Sequence, residues 1–122
     1  MDRTFKKYLK EERLFPLSPS VLAGQEERKS KDFELLVKKP IGTGAFAEVY
    51  SVRHKKTKVH YAIKLMKKKI ILKHEIADAI RQEIEIMYKL KNDHIVRLED
   101  HFEDDEKVYL VMEYVSGGTL LE

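Results

Sequence analysis

Apolar and polar positions alternate along much of this chain with the period of a half-buried strand. Val59 to Met66 reads as a strand from its composition, being rich in β-branched and aromatic residues. Ile95 to Phe102 and Lys107 to Tyr114 read as two further strands, joined by the acidic turn Glu103-Asp104-Asp105-Glu106. Upstream, Phe33 to Lys38 is a short strand-like run ending at Pro40. Val49, Tyr50 and Val52 continue as a second strand, with His54-Lys55-Lys56-Thr57-Lys58 as its turn. One segment changes rhythm: Ala77 to Leu90 has helical periodicity. The order is three strands, one helix, two strands. Connections this short favour an α+β domain, a five-stranded antiparallel sheet with one main helix on one face.

Residues 1–31 have a different texture. Phe5, Tyr8 and Leu9 sit at helical spacing in a charged stretch, enough for a short marginal helix. Pro16 and Pro19, with serines around them, then break any helix, and Gln25 to Lys31 reads as a linker. The expectation is a polar, largely disordered tail over 1–31, with Leu14-Phe15-Pro16-Leu17 a loose part of it rather than a docking peptide. Nothing lifts Ser18 or Ser30 above background as phosphorylation sites. The folded domain is expected over 32–122.

Length and composition narrow the class. A chain of 122 residues has room for one domain with a modest core. Its 43% hydrophobic and 37% charged content reads as soluble and globular. The net charge of +3 comes from basic and acidic residues interleaved, so neither nucleic acid nor a membrane surface is expected as a partner. Without cysteine there is no disulfide scaffold and no thiolate metal site. No apolar run approaches a membrane span, and Met1-Asp2-Arg3 does not open a secretory signal. An intracellular protein of the cytoplasm or nucleus is expected.

Candidate chemistry sits in three ordered pieces. The first is Ile41-Gly42-Thr43-Gly44-Ala45-Phe46-Ala47-Glu48-Val49-Tyr50, whose glycine pair lets backbone approach phosphate oxygens with no Cβ in the way. Gly42-x-Gly44-x-x-Ala47 alone also fits a dinucleotide fingerprint, but that motif opens a helix and is followed about 20 residues on by an acid. Here the glycines lead into a β pattern, and the later position holds Lys64. A hairpin over phosphates fits this context.

Lys64 is the second piece. In a strand, Ala62, Lys64 and Met66 share one face while Tyr61, Ile63 and Leu65 share the other. Its apolar flanks separate Lys64 from the many solvated lysines of this chain. The third piece is an acid able to hold that lysine. At about 100° per residue, Ile76, Ile80, Ile84, Met87 and Leu90 form one stripe, with Glu83 roughly 60° from Ile80 at its edge. Glu75 and Glu85 fall roughly 140° away, toward water. Only Glu83 is placed to face the sheet. Lys67-Lys68-Lys69 reads as a solvated strand end, and His94 as a capping or surface histidine.

In this order the three pieces resemble the amino-terminal lobe of a eukaryotic protein kinase, with its Gly-rich loop, V-A-I-K lysine (Tyr61-Ala62-Ile63-Lys64 here) and helix glutamate. The resemblance covers about residues 33–122. Arg81 to Ile86 and Val108 to Tyr114 look most like Aurora and neighbouring serine/threonine kinases. It implies ATP as the nucleotide, with magnesium in the intact enzyme, and a protein hydroxyl as acceptor. By the same resemblance, Ile41, Gly42, Thr43, Gly44, Ala45, Phe46, Ala47, Val49 and Ala62 line the nucleotide site. Lys64 takes the α and β phosphates and pairs with Glu83. Met112 stands at the gatekeeper position, and the Glu113 carbonyl and Val115 amide bond the adenine edge at the hinge. Met87 and Leu98 match spine positions. Two departures stand out: Ala47 replaces the third glycine, and Asn92-Asp93-His94 stands where the family often has His-Pro.

The catalytic H-R-D-x-x-x-x-N loop and the D-F-G aspartate of that family do not occur in the sequence. Asp32-Phe33-Glu34 precedes the glycine loop and is no substitute. No metal ligands are therefore expected, and the kinase fold is expected to be incomplete, truncated before its catalytic loop and inactive as it stands. The alternatives are a non-catalytic nucleotide- or kinase-binding module and the product of an interrupted reading frame. Coding sequence past Glu122 that continues into H-R-D and D-F-G separates the first reading from the others.

Overall fold

The computed structural model describes residues 13–89 and 97–113. Its strands are β1 (Phe33–Leu35), β2 (Gly42–Thr43), β3 (Glu48–His54), β4 (His60–Lys67), β5 (Leu98–Glu103) and β6 (Lys107–Glu113). Its α-helices are α1 (Pro19–Leu22), α2 (Lys68–Lys73) and α3 (Ala77–Lys89). The main path β1-β3-β4-β6-β5 is the expected five-stranded sheet, paired antiparallel throughout, and the two-residue β2 adds to β3 off that path.

Strand alternation gives the sheet two apolar faces. Ala62 and Met66 of β4 join Ile71, Ile80, Ile84, Leu98, Val108, Leu110 and Met112 beneath the helices. Ile63 faces the other way, into a cluster with Phe33, Val52, Phe102, Tyr109 and Val111, with Tyr61 and Leu65 packed against it. In that second cluster the Phe102 and Tyr109 rings stack at 4.6 Å, and Phe33 stacks on Phe102 at 6.0 Å. Each fully buried side chain of this kind contributes about 1.5–3 kcal/mol.

Two turns form for local reasons. Between β3 and β4, His54 Nδ1 accepts the Lys56 and Thr57 amides at 3.1 and 3.2 Å, and Lys58 takes a φ of 64°. Between β5 and β6, one Asp104 carboxylate oxygen accepts the Glu106 and Lys107 amides at 2.9 and 2.7 Å. Tyr109 donates to its other oxygen at 2.8 Å.

Two expectations are corrected. The lysine run is a solvated strand end only in part, with Lys67 and Lys69 exposed and Lys68 not. β4 stops at Lys67, α2 begins at Lys68, and Lys68 is buried with its ammonium 2.9 Å from Glu103. Nor do residues 13–31 form a loose tail. Phe15 is 3% exposed within the core cluster, and Arg28 lies 3.3 Å from buried Asp100 and over the Tyr61 ring. Polarity misled because these polar groups meet buried carboxylates on β5, a partner too distant in sequence to be visible locally. The expected helix around Phe5, Tyr8 and Leu9 lies outside the described residues, as do Leu90, His94 and Ile95. Among the described residues no helix is long and apolar enough to cross a membrane.

Candidate nucleotide site

The glycine segment closes as a hairpin. Gly42 and Thr43 pair with Val49 and Glu48, Ile41 N–H donates to the Val49 carbonyl at 2.7 Å, and Gly44 N–H donates to the Ala47 carbonyl at 2.8 Å. Of the described glycines only Gly24 has a positive φ, so Gly42 and Gly44 are not there for a left-handed turn. A Cβ on Gly44 would meet nothing of the chain nearer than the Ala47 carbonyl at 3.9 Å. The chain's own packing therefore does not demand glycine here, and the room left is room for a ligand. Ala47 also has an ordinary φ, so its methyl costs the hairpin no strain. At the tip, half-exposed Phe46 meets His74 edge-on at 5.1 Å and bridges the hairpin to the segment between α2 and α3.

Beneath the hairpin lies a cleft of about 560 Å³. Residues 41–47 form its roof, Val49, Lys64 and Met66 its sheet wall, and Ile76, Ile80 and Glu83 its helix wall. β4 brings Lys64 opposite Val49 on β3 and Leu110 on β6. The helical stripe brings Ile80 and Ile84 inward, both buried, and leaves Glu83 at the edge while Glu75 and Glu85 face water. Lys64 Nζ stands 3.8 Å from Glu83 Oε1, with the two side chains 31% and 53% exposed. A pair this long and this wet is worth at most about 1 kcal/mol. It registers where α3 sits without holding it there.

Not every expected residue reaches this cleft. Ala62 and Met112 pair across β4 and β6 but are buried, at 0% and 6% exposure, and do not line it. Glu113 ends β6 and is exposed. Val115 and the glycines Gly117 and Gly118 lie outside the described residues, so the hinge is not described beyond Glu113. Leu98 is buried and Met87 packs against the same core. Conversely, Met66, Ile76 and Ile80 line the cleft without having been expected there. The periodicities that placed Lys64 and Glu83 also put these neighbours on the same faces, so the signal was present. The Phe46–His74 contact had none.

The donor set suits a polyphosphate: one ammonium, main-chain N–H groups of a hairpin with room beneath it, and apolar walls for a base. A cation site is another matter. Among the described residues no three His, Cys, Asp or Glu side chains gather as one.

Residues 35–122 match the protein kinase domain. The chain belongs to that family. An Aurora kinase of Patiria pectinifera is 43% identical over 82 residues, 67% of this chain and 20% of that protein. An Aurora kinase of Yarrowia lipolytica is 38% identical over 106 residues, 86% of this chain and 28% of that one. A probable myosin light chain kinase of Dictyostelium discoideum is 44% identical over 91 residues, 75% of this chain and 27% of that one. The chain thus spans between about a fifth and three tenths of the length of these relatives. Both the match and the antiparallel sheet belong to the amino-terminal lobe region of a kinase, a family that generally works with ATP and magnesium.

Proposed function

We propose that this lobe is the ATP-holding part of an intracellular protein serine/threonine kinase, which in the intact enzyme transfers phosphate to a protein hydroxyl. The observation that carries it is the convergence of Lys64, Glu83 and residues 41–47 on one cleft. Lys64 would neutralise the α and β phosphates, with Glu83 holding its ammonium toward them. The main chain of Gly42, Thr43, Gly44, Ala45 and Phe46 would cover the phosphate tail, with the Gly44 amide already given to the Ala47 carbonyl. Ile41, Val49 and Ala62 would contact adenine, Met112 would close the back of its pocket, and the Glu113 carbonyl and Val115 amide would bond its edge.

Among the described residues this arrangement binds and orients, and the one carboxylate lining the cleft, Glu83, faces Lys64. The 122-residue chain is therefore expected to transfer no phosphate. The test is titration of a non-hydrolysable ATP analogue followed by NMR. Shifts confined to residues 41–49, 62–66 and 112–113, and abolished in Lys64→Met, support the proposal. Shifts scattered elsewhere, or equal in Lys64→Met, overturn it. A non-catalytic nucleotide- or kinase-binding module is the second reading. It separates from the first if the complete reading frame binds ATP but never phosphorylates a protein.

A further inference from the structure

Something other than the Lys64–Glu83 pair must fix α3, and the contacts at its back show what. Phe15 is buried in one cluster with Ile71 of α2, Ile80 and Ile84 of α3, Leu98 of β5 and Val108 of β6. Its backbone is clasped as firmly as its ring. The Glu103 carboxylate, whose side chain is 1% exposed, accepts the Leu14 and Phe15 amides on its two oxygens, each at 2.8 Å. The same carboxylate holds the Lys68 ammonium at the start of α2, 2.9 Å away.

One residue on, the chain is tied to α3 itself. His101 Nε2 lies 2.7 Å from the Pro16 carbonyl oxygen and Nδ1 lies 2.6 Å from the Tyr88 hydroxyl of α3. A carbonyl only accepts, so Nε2 carries the hydrogen of that bond, while Nδ1 pairs with the Tyr88 hydroxyl. Further along, Ser20 donates to buried Asp100 at 3.3 Å. Between this segment and α3 an apolar cleft of about 260 Å³ runs past Arg81, Ile84 and Glu85.

We propose that residues 13–20 are an intramolecular strap that sets the position of α3, and that Phe15 is a positioning residue acting through α3 on the approach of Glu83 to Lys64. The strap lies outside the matched residues 35–122, and its seat is the groove bounded by α2, α3 and β5. Its occupant is specified by chemistry: an extended segment offering two consecutive amides to Glu103, an aromatic ring to the apolar seat and a carbonyl to His101. The consequence for nucleotide binding rests on the function proposed above; the position of α3 does not.

The chain has no cysteine, so spin labels can be placed on the full chain at Ile86→Cys, exposed on α3, and Lys56→Cys, exposed in the β3–β4 turn. Double electron–electron resonance should give one narrow distance. Phe15→Ala should broaden or shift it, and a synthetic peptide of residues 13–20 added in excess should restore it. Phe15→Leu, which keeps apolar volume, should fall between and carries the same peptide test if Phe15→Ala does not fold. An unchanged narrow distance in the folded variant overturns the proposal. A broadened distance that the peptide leaves broad also overturns it, because general loosening then explains the effect. ATP-analogue affinity in the same samples is expected to fall at least threefold with the loss of the strap. If α3 moves while affinity stays constant, the strap stands and the nucleotide role of the cleft is what fails.

Discussion

Lys64 and Glu103 are both charged residues on strands, and what each does follows from its burial. Lys64 is partly open to water, so replacing it should touch ligand binding and spare the fold. Lys64→Met is expected to weaken ATP-analogue binding about tenfold, since a charge-assisted contact is worth about 1.5–3 kcal/mol. Its unfolding free energy should stay within about 0.5 kcal/mol of the parent. Calorimetry and urea titration check the two halves separately, and a collapse in stability would refute this division. Glu103 is the opposite case: inaccessible, clasping two amides and an ammonium. Glu103→Ala should cost about 3 kcal/mol or more, the scale for breaking a buried pair, and a change under about 1 kcal/mol by urea titration would contradict it. Lys64 was legible in the sequence because its context is local, a run of apolar neighbours on one strand. Glu103 was read as part of an acidic turn because its partners stand 35 to 89 positions away.

At the scale of the element, the β5–β6 hairpin illustrates how side chains secure a turn and how pH should undo it. Burial, followed by the hydrogen bond to Asp104, pushes the Tyr109 hydroxyl up to about 12. Tyr88 is pushed up likewise, by burial first and then by Asp100. Both groups are held neutral in the folded state more strongly than in the unfolded chain, where tyrosine titrates near about 10. Their contribution is therefore complete below about pH 10 and is lost as pH rises through the folded value, about 12 for Tyr109 and higher for Tyr88. Urea midpoints should fall over that interval, and Tyr109→Phe should flatten the fall; a midpoint constant through about pH 11 would refute it. Asp104 runs the other way. Burial raises its pKa, but bonds from Tyr109 and the Glu106 and Lys107 amides outweigh that and hold it below its usual value. Its contribution is present above the ordinary carboxylate range and disappears as acidification passes the lowered folded value. The hairpin itself was legible, since β-rich runs flank an acidic turn. The strap was not, because prolines, serines and charges give a segment no internal period, and its order comes from a seat built by other elements. Leu14 and Phe15 amides, bonded to a buried carboxylate, should exchange with solvent as slowly as those of β4 and β6. Rapid exchange there would contradict the docked arrangement.

For the molecule as a whole, the question is how tightly a lobe of this kind can hold ATP unaided. A dissociation constant of 1 mM corresponds to about 4.1 kcal/mol. Two hinge hydrogen bonds would supply about 1–3 kcal/mol, leaving the remainder to Lys64, the hairpin amides and apolar contact with the base. The fold puts a cost against that remainder. Ala62 and Met112 are covered rather than open to the cleft, so a base seated against them must displace what covers them. Lys64 also works in a cleft open enough to leave it 31% exposed, where water screens its attraction to phosphate. No cluster of acids among the described residues adds a bridging cation. These terms together predict a dissociation constant for ATP near or above about 1 mM for the 122-residue chain. Calorimetry that returned a low-micromolar constant would mean that the base is held without that displacement, and that the buried pair of Ala62 and Met112 is not its wall.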